Sequence, residues 1–358
     1  MKILALETSC DDTSVSIVDE GTIVLSSVVS SQADLHSIYG GVVPEIAARA
    51  HIQNIIPALD RAFTESALTM AEIDCLAVTK GPGLIGSLIV GVNTARVLAS
   101  LNKKRLIALH HTEGHIYANW LGKSSKTAPA FPLVCLTVSG GHSSLIYMKK
   151  HLCYEVIGET HDDSAGEAYD KVAKMLGLGY PGGPAISVQA QKGNDQAYSF
   201  PRIDLTKKPS RNSDGFMEKS LPSLDFSFSG LKTAVLRDVR KLEEKNQLNP
   251  GAICDLAASF QTCANEILVR NTIRAAKRYK VKTVLLSGGV AANKDLRQRL
   301  SSALEQIENI KFYYPEYQYC TDNAAMIGAA AYQHRLLNDF TEPKDLTPDS
   351  GLKLISAS

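Results

Sequence analysis

MKILALETSCDDTSVSIVDEGTIVLSSVV (Met1–Val29) sets the reading of the whole chain. Ile3–Leu6 is a short apolar run, as a buried strand requires. It ends in a turn of hydroxyls and carboxylates, Glu7 to Ser14. Val15–Val18 and Thr22–Val29 read as two further strands, with Glu20-Gly21 as the hairpin between them. Helix and strand periods then alternate. A helix covers Pro44–Ala67 with a kink or break at Pro57, followed by strand Cys75–Thr79 and helix Gly83–Leu101. Strand Leu106–Leu109 and helix Glu113–Leu121 complete the set. The order then restarts. Leu133–Val138 is a strand, Ser139–Ser143 a small polar turn, and Ser144–Met148 and Tyr154–Gly158 two more strands. Helices cover Ser164–Leu176, Leu231–Glu244 and Ile253–Tyr279. Strand Thr283–Leu286, helix Ala291–Leu304, strand Ile310–Tyr314 and helix Asn323–Leu336 follow. Three strands with a polar first turn, then alternating helix and strand, thus occur twice. The pattern predicts an internally duplicated α/β protein whose two lobes face each other. One large α/β domain without a repeat is the other arrangement it permits. The expected division is residues 1–122, then residues 123–340 with a helical insertion at about 160–280, then a poorly ordered tail, 341–358, carrying Pro343 and Pro348.

Composition narrows the class. The chain has 358 residues, 44% hydrophobic and 21% charged, with net charge +1. Bulk charge therefore does not make it a polyanion binder, and a nucleic-acid surface must be a local patch. Such a patch is offered by Leu268 to Arg299, with nine Lys or Arg against one acid, Asp295. A solvated basic helix face is the plainer account. The seven cysteines are scattered without a CxxC, which suggests reduced thiols. No apolar run is expected to span a membrane, and the N-terminus reads as a strand rather than a signal or transit peptide. A cytoplasmic protein with no membrane partner is the expectation.

Five motifs could carry chemistry. The turn Glu7–Ser14 offers hydroxyls and carboxylates to a phosphate, a metal or its waters; a plain polar turn would look the same. Val138-Ser139-Gly140-Gly141-His142-Ser143 forms the equivalent turn of the second half. Its paired glycines let backbone amides approach a phosphate. Ser287-Gly288-Gly289 leads through Asn293 into a helix, placing open backbone and a helix N-terminus against a ligand. His111 and His115 stand at i and i+4 of HHTEGH, on one helix face, and can share a metal. Thr112 stands where a zinc-protease HExxH has its glutamate. Asp322, in YCTDN, is the candidate third ligand or else a helix cap. Asp170, and the turn Pro181-Gly182-Gly183-Pro184, could contact ribose and phosphate, or be an ordinary cap and turn.

Taken in order, these blocks resemble the TsaD family of tRNA threonylcarbamoyladenosine synthases, once called O-sialoglycoprotein endopeptidases (Gcp), and the bacterial members in particular. The matching blocks are ETSCDDTSV, YGGVVPEIAARAH, GPGLIGSLIVG, HHTEGH, VSGGHSSL, DDSAGEAYDKVAKMLGLGYPGGP, LDFSFSGLKTA, LSGGVAAN and CTDNAAMIG, from residue 4 to about residue 335. The resemblance implies duplicated RNase H-like lobes of the actin, Hsp70 and sugar-kinase (ASKHA) superfold around a nucleotide cleft. It implies that His111, His115 and Asp322 ligate one divalent ion, Fe2+ or Zn2+. It implies that Thr137, Val138, Ser139, Gly140, Gly141, Asp170, Gly183 and Asn293 contact an ATP-like or adenylate ligand. Asp11 is implied to lie near the metal and the reacting group, as a catalytic residue. The implied reaction moves a threonylcarbamoyl group from threonylcarbamoyl-AMP to the adenosine 3′ of the anticodon in tRNAs reading ANN codons. Implied partners are a smaller TsaB-like paralogue in a heterodimer, a TsaE-like P-loop ATPase and an upstream TsaC-like adenylate synthase. One departure is a segment longer than in typical bacterial members, roughly Asp204 to Ser223. A metalloprotease, suggested by HxxxH and the old family name, and a small-molecule kinase of the same superfold are the alternatives.

Overall fold

The computed structural model describes residues 1–124, 126–206 and 222–356. Residues 207–221, most of the segment read as an insertion, lie outside the described residues. The chain forms two compact units.

The first unit opens with β1 (Lys2–Glu7), β2 (Asp12–Asp19) and β3 (Ile23–Ser31), then α1 (Ala33–Ser37) and α2 (Pro44–Ser66). β4 (Cys75–Gly81), α3 (Ile85–Asn102), β5 (Arg105–His110) and α4 (His111–Tyr117) follow. The sheet order is β3-β2-β1-β4-β5. β1 pairs antiparallel with β2, Leu4 opposite Ile17, and parallel with β4, Leu4 opposite Leu76. Central β1 is apolar from Ile3 to Leu6 because both its faces are covered. Leu4 and Leu6 join Ile55, Leu59 and Val92 of α2 and α3 in one core cluster. α2 is not broken at Pro57 as the sequence suggests. The carbonyl that Pro57 cannot serve belongs to Gln53, which is exposed, so water can replace the lost donor.

The second unit repeats the plan. β6 (Leu133–Val138), β7 (Ser143–Met148) and β8 (Tyr154–Glu159) lead into α5 (Ala165–Met175), α6 (Gly182–Ala190), α7 (Ser229–Glu244) and α8 (Pro250–Tyr279). β9 (Thr283–Ser287), α9 (Lys294–Glu305) and β10 (Lys311–Tyr313) close it. Its sheet order is β10-β9-β6-β7-β8, with β6 and β9 parallel, Leu136 opposite Leu286. Numbered within each unit, both sheets read 3-2-1-4-5, so the duplication inferred from the pattern is present as topology.

The division of the chain differs from the expected one. The second unit runs Phe131–Tyr147 and Glu155–Phe312, while Met148–Tyr154 and the chain from Tyr313 onward belong to the first. The cause is α10 (Ala324–Leu336), whose small residues let it lie directly on β1, β2 and β5. A Cβ on Gly328 would stand 2.6 Å from Val18 Cγ2. The tail is built in rather than loose. Thr341 N–H donates to Leu106 O at 2.8 Å, Asp349 N–H to Lys80 O at 2.8 Å, and Leu346 sits in the core. A second correction concerns α3, which is long and apolar enough by length and composition to cross a membrane. Here Leu88, Val92, Ala95 and Ala99 are buried, while Ile85, Ile89, Val97 and Leu101 are exposed. All seven cysteines are free thiols.

Candidate functional site

The chain enters α4 through His110, whose Nδ1 accepts the Thr112 N–H at 3.1 Å. This places the proton on Nε2, 3.1 Å from Leu352 O of the C-terminal segment. With the cap at His110, the helix begins at His111 and not at Glu113, so His111 and His115 occupy one face a turn apart. Their rings stand edge to face with centroids 4.6 Å apart.

Asp322 precedes α10. The cap of that helix is Asn323, whose Oδ1 accepts the Met326 N–H at 2.9 Å. Asp322 is therefore not the capping residue. Its Oδ1 lies 3.5 Å from His111 Nε2 and 3.2 Å from His115 Nε2. All three donor atoms fall within 4.8 Å of one another. Bonds of about 2.1 Å at tetrahedral angles put donors about 3.4 Å apart, so one first-row cation fits these separations. His115 is 2% exposed, and neither ring nitrogen has a partner in hydrogen-bonding geometry. An unsatisfied buried imidazole is costly, and a bound cation would meet its lone pair. Three protein ligands leave a coordination position open, as catalytic sites do.

Electrostatics favour a cation here. Burial alone would press His111 down, but Asp322 and Glu7 outweigh it and push the imidazole up to about 9. Glu7 is itself held below its ordinary value, because His111 outweighs the cost of its burial. Asp12 is pushed up to about 7 by burial first, then by Asp322, Asp11 and Glu7. Its Oδ1 is buried without a hydrogen-bond partner. Asp11 lies half-buried in the β1–β2 turn, and its charge acts on Cys10, Asp12 and His51. His51 of α2 pins that turn, with Nε2 3.0 Å from Cys10 O and Nδ1 2.7 Å from Thr13 Oγ1. Glu7 and Asp12 fall in the turn that the sequence offers to a phosphate or metal, without a role of their own there; His51 was not singled out, and only helix packing brings it to this turn.

The remaining candidates lie in the second unit. Thr137 and Val138 are buried, and Thr137 Oγ1 bonds Ser287 Oγ at 3.0 Å. What that turn can present is the backbone of Gly140 and Gly141, since Ser139 N–H donates to His142 O at 2.8 Å. A Cβ on either glycine would meet nothing within 4 Å. The turn is braced by α5: Ser164 Oγ donates to Gly140 O at 2.6 Å and Gly166 N–H to Ser139 O at 3.2 Å. Ser164, not Asp170, caps α5. Asp170 Oδ1 accepts the Gly182 N–H at 2.7 Å and so fixes the start of α6, beside Gly183, which is open. Asn293 caps α9 through Oδ1, and its Nδ2 donates to Gln261 Oε1 at 3.0 Å. Its side chain is thus engaged by the protein. The basic stretch is also partly spent internally. Arg274 grips Asp204 at 2.6 Å, Arg278 donates to Pro222 O at 2.7 Å, and Arg299 to Asp295 at 2.7 Å.

Two sheets of one strand order, each with a polar or glycine turn after its first strand, define a duplicated RNase H-like α/β protein with a candidate metal centre in its first unit. Comparison with known proteins agrees. The chain matches the TsaD family, tRNA N6-adenosine threonylcarbamoyltransferase, over residues 23–329. A tRNA N6-adenosine threonylcarbamoyltransferase of Staphylococcus saprophyticus is 50% identical over 330 residues, covering 92% of this chain and 90% of that protein. One from Thermomicrobium roseum is 47% identical over 352 residues, covering 93% and 91%. Among solved structures, full-length HypF in its phosphate- and nucleotide-bound form aligns with TM-score 0.57 at 13% identity. That alignment covers 94% of this chain and 46% of HypF, and it speaks for the fold alone. The chain belongs to the TsaD family.

Proposed function

We propose that this chain is a tRNA N6-adenosine threonylcarbamoyltransferase, acting on threonylcarbamoyl-AMP and on the adenosine 3′ of the anticodon in tRNAs reading ANN codons. Near full-length identity to transferases of that name carries the reading. In the reaction the exocyclic N6 forms a bond to the carbamoyl carbon. The bond from that carbon to the phosphate oxygen breaks, AMP leaves, and N6 loses a proton. The donor is an activated mixed anhydride, so the protein's task is to hold and align it, and no enzymatic nucleophile is required.

We assign His111, His115 and Asp322 as ligands of one divalent ion, Fe2+ or Zn2+. When bound, the ion would supply Lewis-acid polarisation. Asp11 is the proposed catalytic carboxylate. The open space at Gly140, Gly141 and Gly183, with Ser139 bracing the first turn, supports assigning the adenylate phosphate to those turns. Thr137, Val138, Asp170 and Asn293 would shape that site by bracing it. The division into residues 1–122 and 123–340 is replaced in this proposal by the two structural units.

A heterodimer with a smaller TsaB-like paralogue is supported by an uncovered apolar face on α2 and α3. Ile52, Ile56, Ile85 and Ile89 are all exposed there. A TsaE-like ATPase and a TsaC-like adenylate synthase complete the proposed system, in the cytoplasm with its tRNA. The protease alternative loses its base, since the glutamate of α4 is committed elsewhere. Glu113 Oε1 accepts from Tyr154 Oη and lies 2.9 Å from His334 Nε2.

The test is a reconstituted assay with threonylcarbamoyl-AMP and unmodified tRNA, read by nucleoside mass spectrometry with and without those partners. Modified adenosine should form. His111→Ala and Asp322→Ala should lower bound metal and product together, product by at least about a hundredfold. No product in any combination sinks the reading.

A further inference from the structure

Glu7 is the last residue of β1 and is fully buried. A buried carboxylate is tolerated only when its lone pairs are met. Oε1 accepts the Ser9 N–H at 2.6 Å. Oε2 accepts the hydroxyl of Thr79, on neighbouring β4, at 2.6 Å. One more approach to Oε2 is taken by His111 Nδ1, at 3.1 Å. The other nitrogen of that ring, Nε2, is the one turned toward Asp322.

A neutral imidazole has one proton and two nitrogens. For Nε2 to offer a lone pair to a cation, the proton must sit on Nδ1. An ionised carboxylate can only accept, so it admits that tautomer and no other. Ser9 Oγ also lies near, 3.0 Å from the same Nδ1. A hydroxyl can donate or accept, and so by itself imposes nothing. His115 has no acceptor at its Nδ1. The two histidines are therefore unequal, and His111 is the anchored one.

We propose that Glu7 is a positioning residue of the metal centre. It accepts the Nδ1–H of His111, fixes the ring's orientation and leaves Nε2 as the ligand atom. This rests on the metal assignment of the preceding section. It joins the ETS turn to the HHTEGH helix as one device: the strand that organises the sheet also sets the donor atom of a ligand 104 residues away.

The experiment titrates metal-free protein with Zn2+ against a chromophoric chelator, for the unaltered chain, Glu7→Gln, Ser9→Ala and His111→Ala. The unaltered chain should bind one Zn2+, and His111→Ala should lose it. Glu7→Gln should bind about 10–100-fold more weakly, and Ser9→Ala within about threefold of the unaltered chain. In parallel, ring-15N-histidine spectra of the zinc-loaded, unaltered chain should show His111 protonated at Nδ1. That proton should resonate downfield against the carboxylate and move upfield in Glu7→Gln. The spectrum decides the matter even if Glu7→Gln fails to fold. A His111 carrying its proton on Nε2 overturns the proposal. So does unchanged affinity in Glu7→Gln, or a loss confined to Ser9→Ala, when His111→Ala still abolishes binding. Stoichiometric Zn2+ in His111→Ala would instead sink the metal assignment itself.

Discussion

His111 stands between two carboxylates that favour its imidazolium, and this would make metal binding a proton exchange. With its value near 9, the ring carries a proton at pH 7 that must leave before Nε2 can ligate. Asp12, near 7, is half protonated there, and a cation beside Asp322 would expel that proton as well. Affinity should therefore rise between about pH 6 and pH 9, by about tenfold per unit where one proton is exchanged. Calorimetry in two buffers of different ionisation enthalpy checks this, and binding that releases no protons at pH 7 contradicts it. At this scale the sequence was readable only where neighbours are local. His111 and His115 stand four apart on one helix, so spacing alone could suggest a shared ligand. Asp322 looked able to cap α10, and the structure gives that role to its neighbour Asn323. Glu7 and Thr79 meet because β1 and β4 are hydrogen-bonded neighbours, which no local pattern announces.

The centre depends on the fit of two elements, since α4 carries the histidines and α10 follows the aspartate. Gly114, between the two histidines, lies close against α10. A Cβ there would stand 2.6 Å from Ile327 Cδ1 and 3.0 Å from Met326 Cγ. Ile327 can swing its terminal methyl, but Met326 would have to shift along its stem. Gly114→Ala should therefore push the helices apart, costing about 1–3 kcal/mol of stability, and weaken Zn2+ binding although no ligand has changed. Zinc affinity equal to the unaltered chain would contradict this. The same pair is tied by charge. His334 of α10 lies 2.9 Å from Glu113 and 2.8 Å from Asp339, both of which raise it to about 9 against its burial. That tie is fully present below about pH 6.5 and fades as pH rises through 9. The helices themselves were legible from their periods. Their starts were less so: α4 begins two residues early because His110 caps it with a ring nitrogen, which no capping rule for Ser, Thr, Asp or Asn anticipates.

Across the molecule, the repeated strand-and-turn pattern was enough to expose the duplication, because the same succession of elements along the chain gives the same sheet order twice. It could not show that the last helix and tail return to the first unit. A helical period says which face is apolar and nothing about which sheet will cover it. Ending the chain after Phe340 removes Leu346 from the first unit's core, together with the backbone bonds at Leu106 and Lys80. This truncation should cost about 2–5 kcal/mol. Trp120 is the chain's single tryptophan and lies in that unit, so its fluorescence reports the loss as a lower unfolding midpoint. An unchanged midpoint would show that the tail is dispensable. The return of the chain also bears on synthesis. A ribosome delivers β1 and α4 first and α10 only near the end, after the whole second unit has emerged. Until then Ser14 lacks the Ala324 N–H that it accepts at 2.8 Å, and the histidine pair lacks its aspartate. A chain that stops short of Asp322 thus lacks one of the three proposed donors, and metal loading would follow emergence of the second unit.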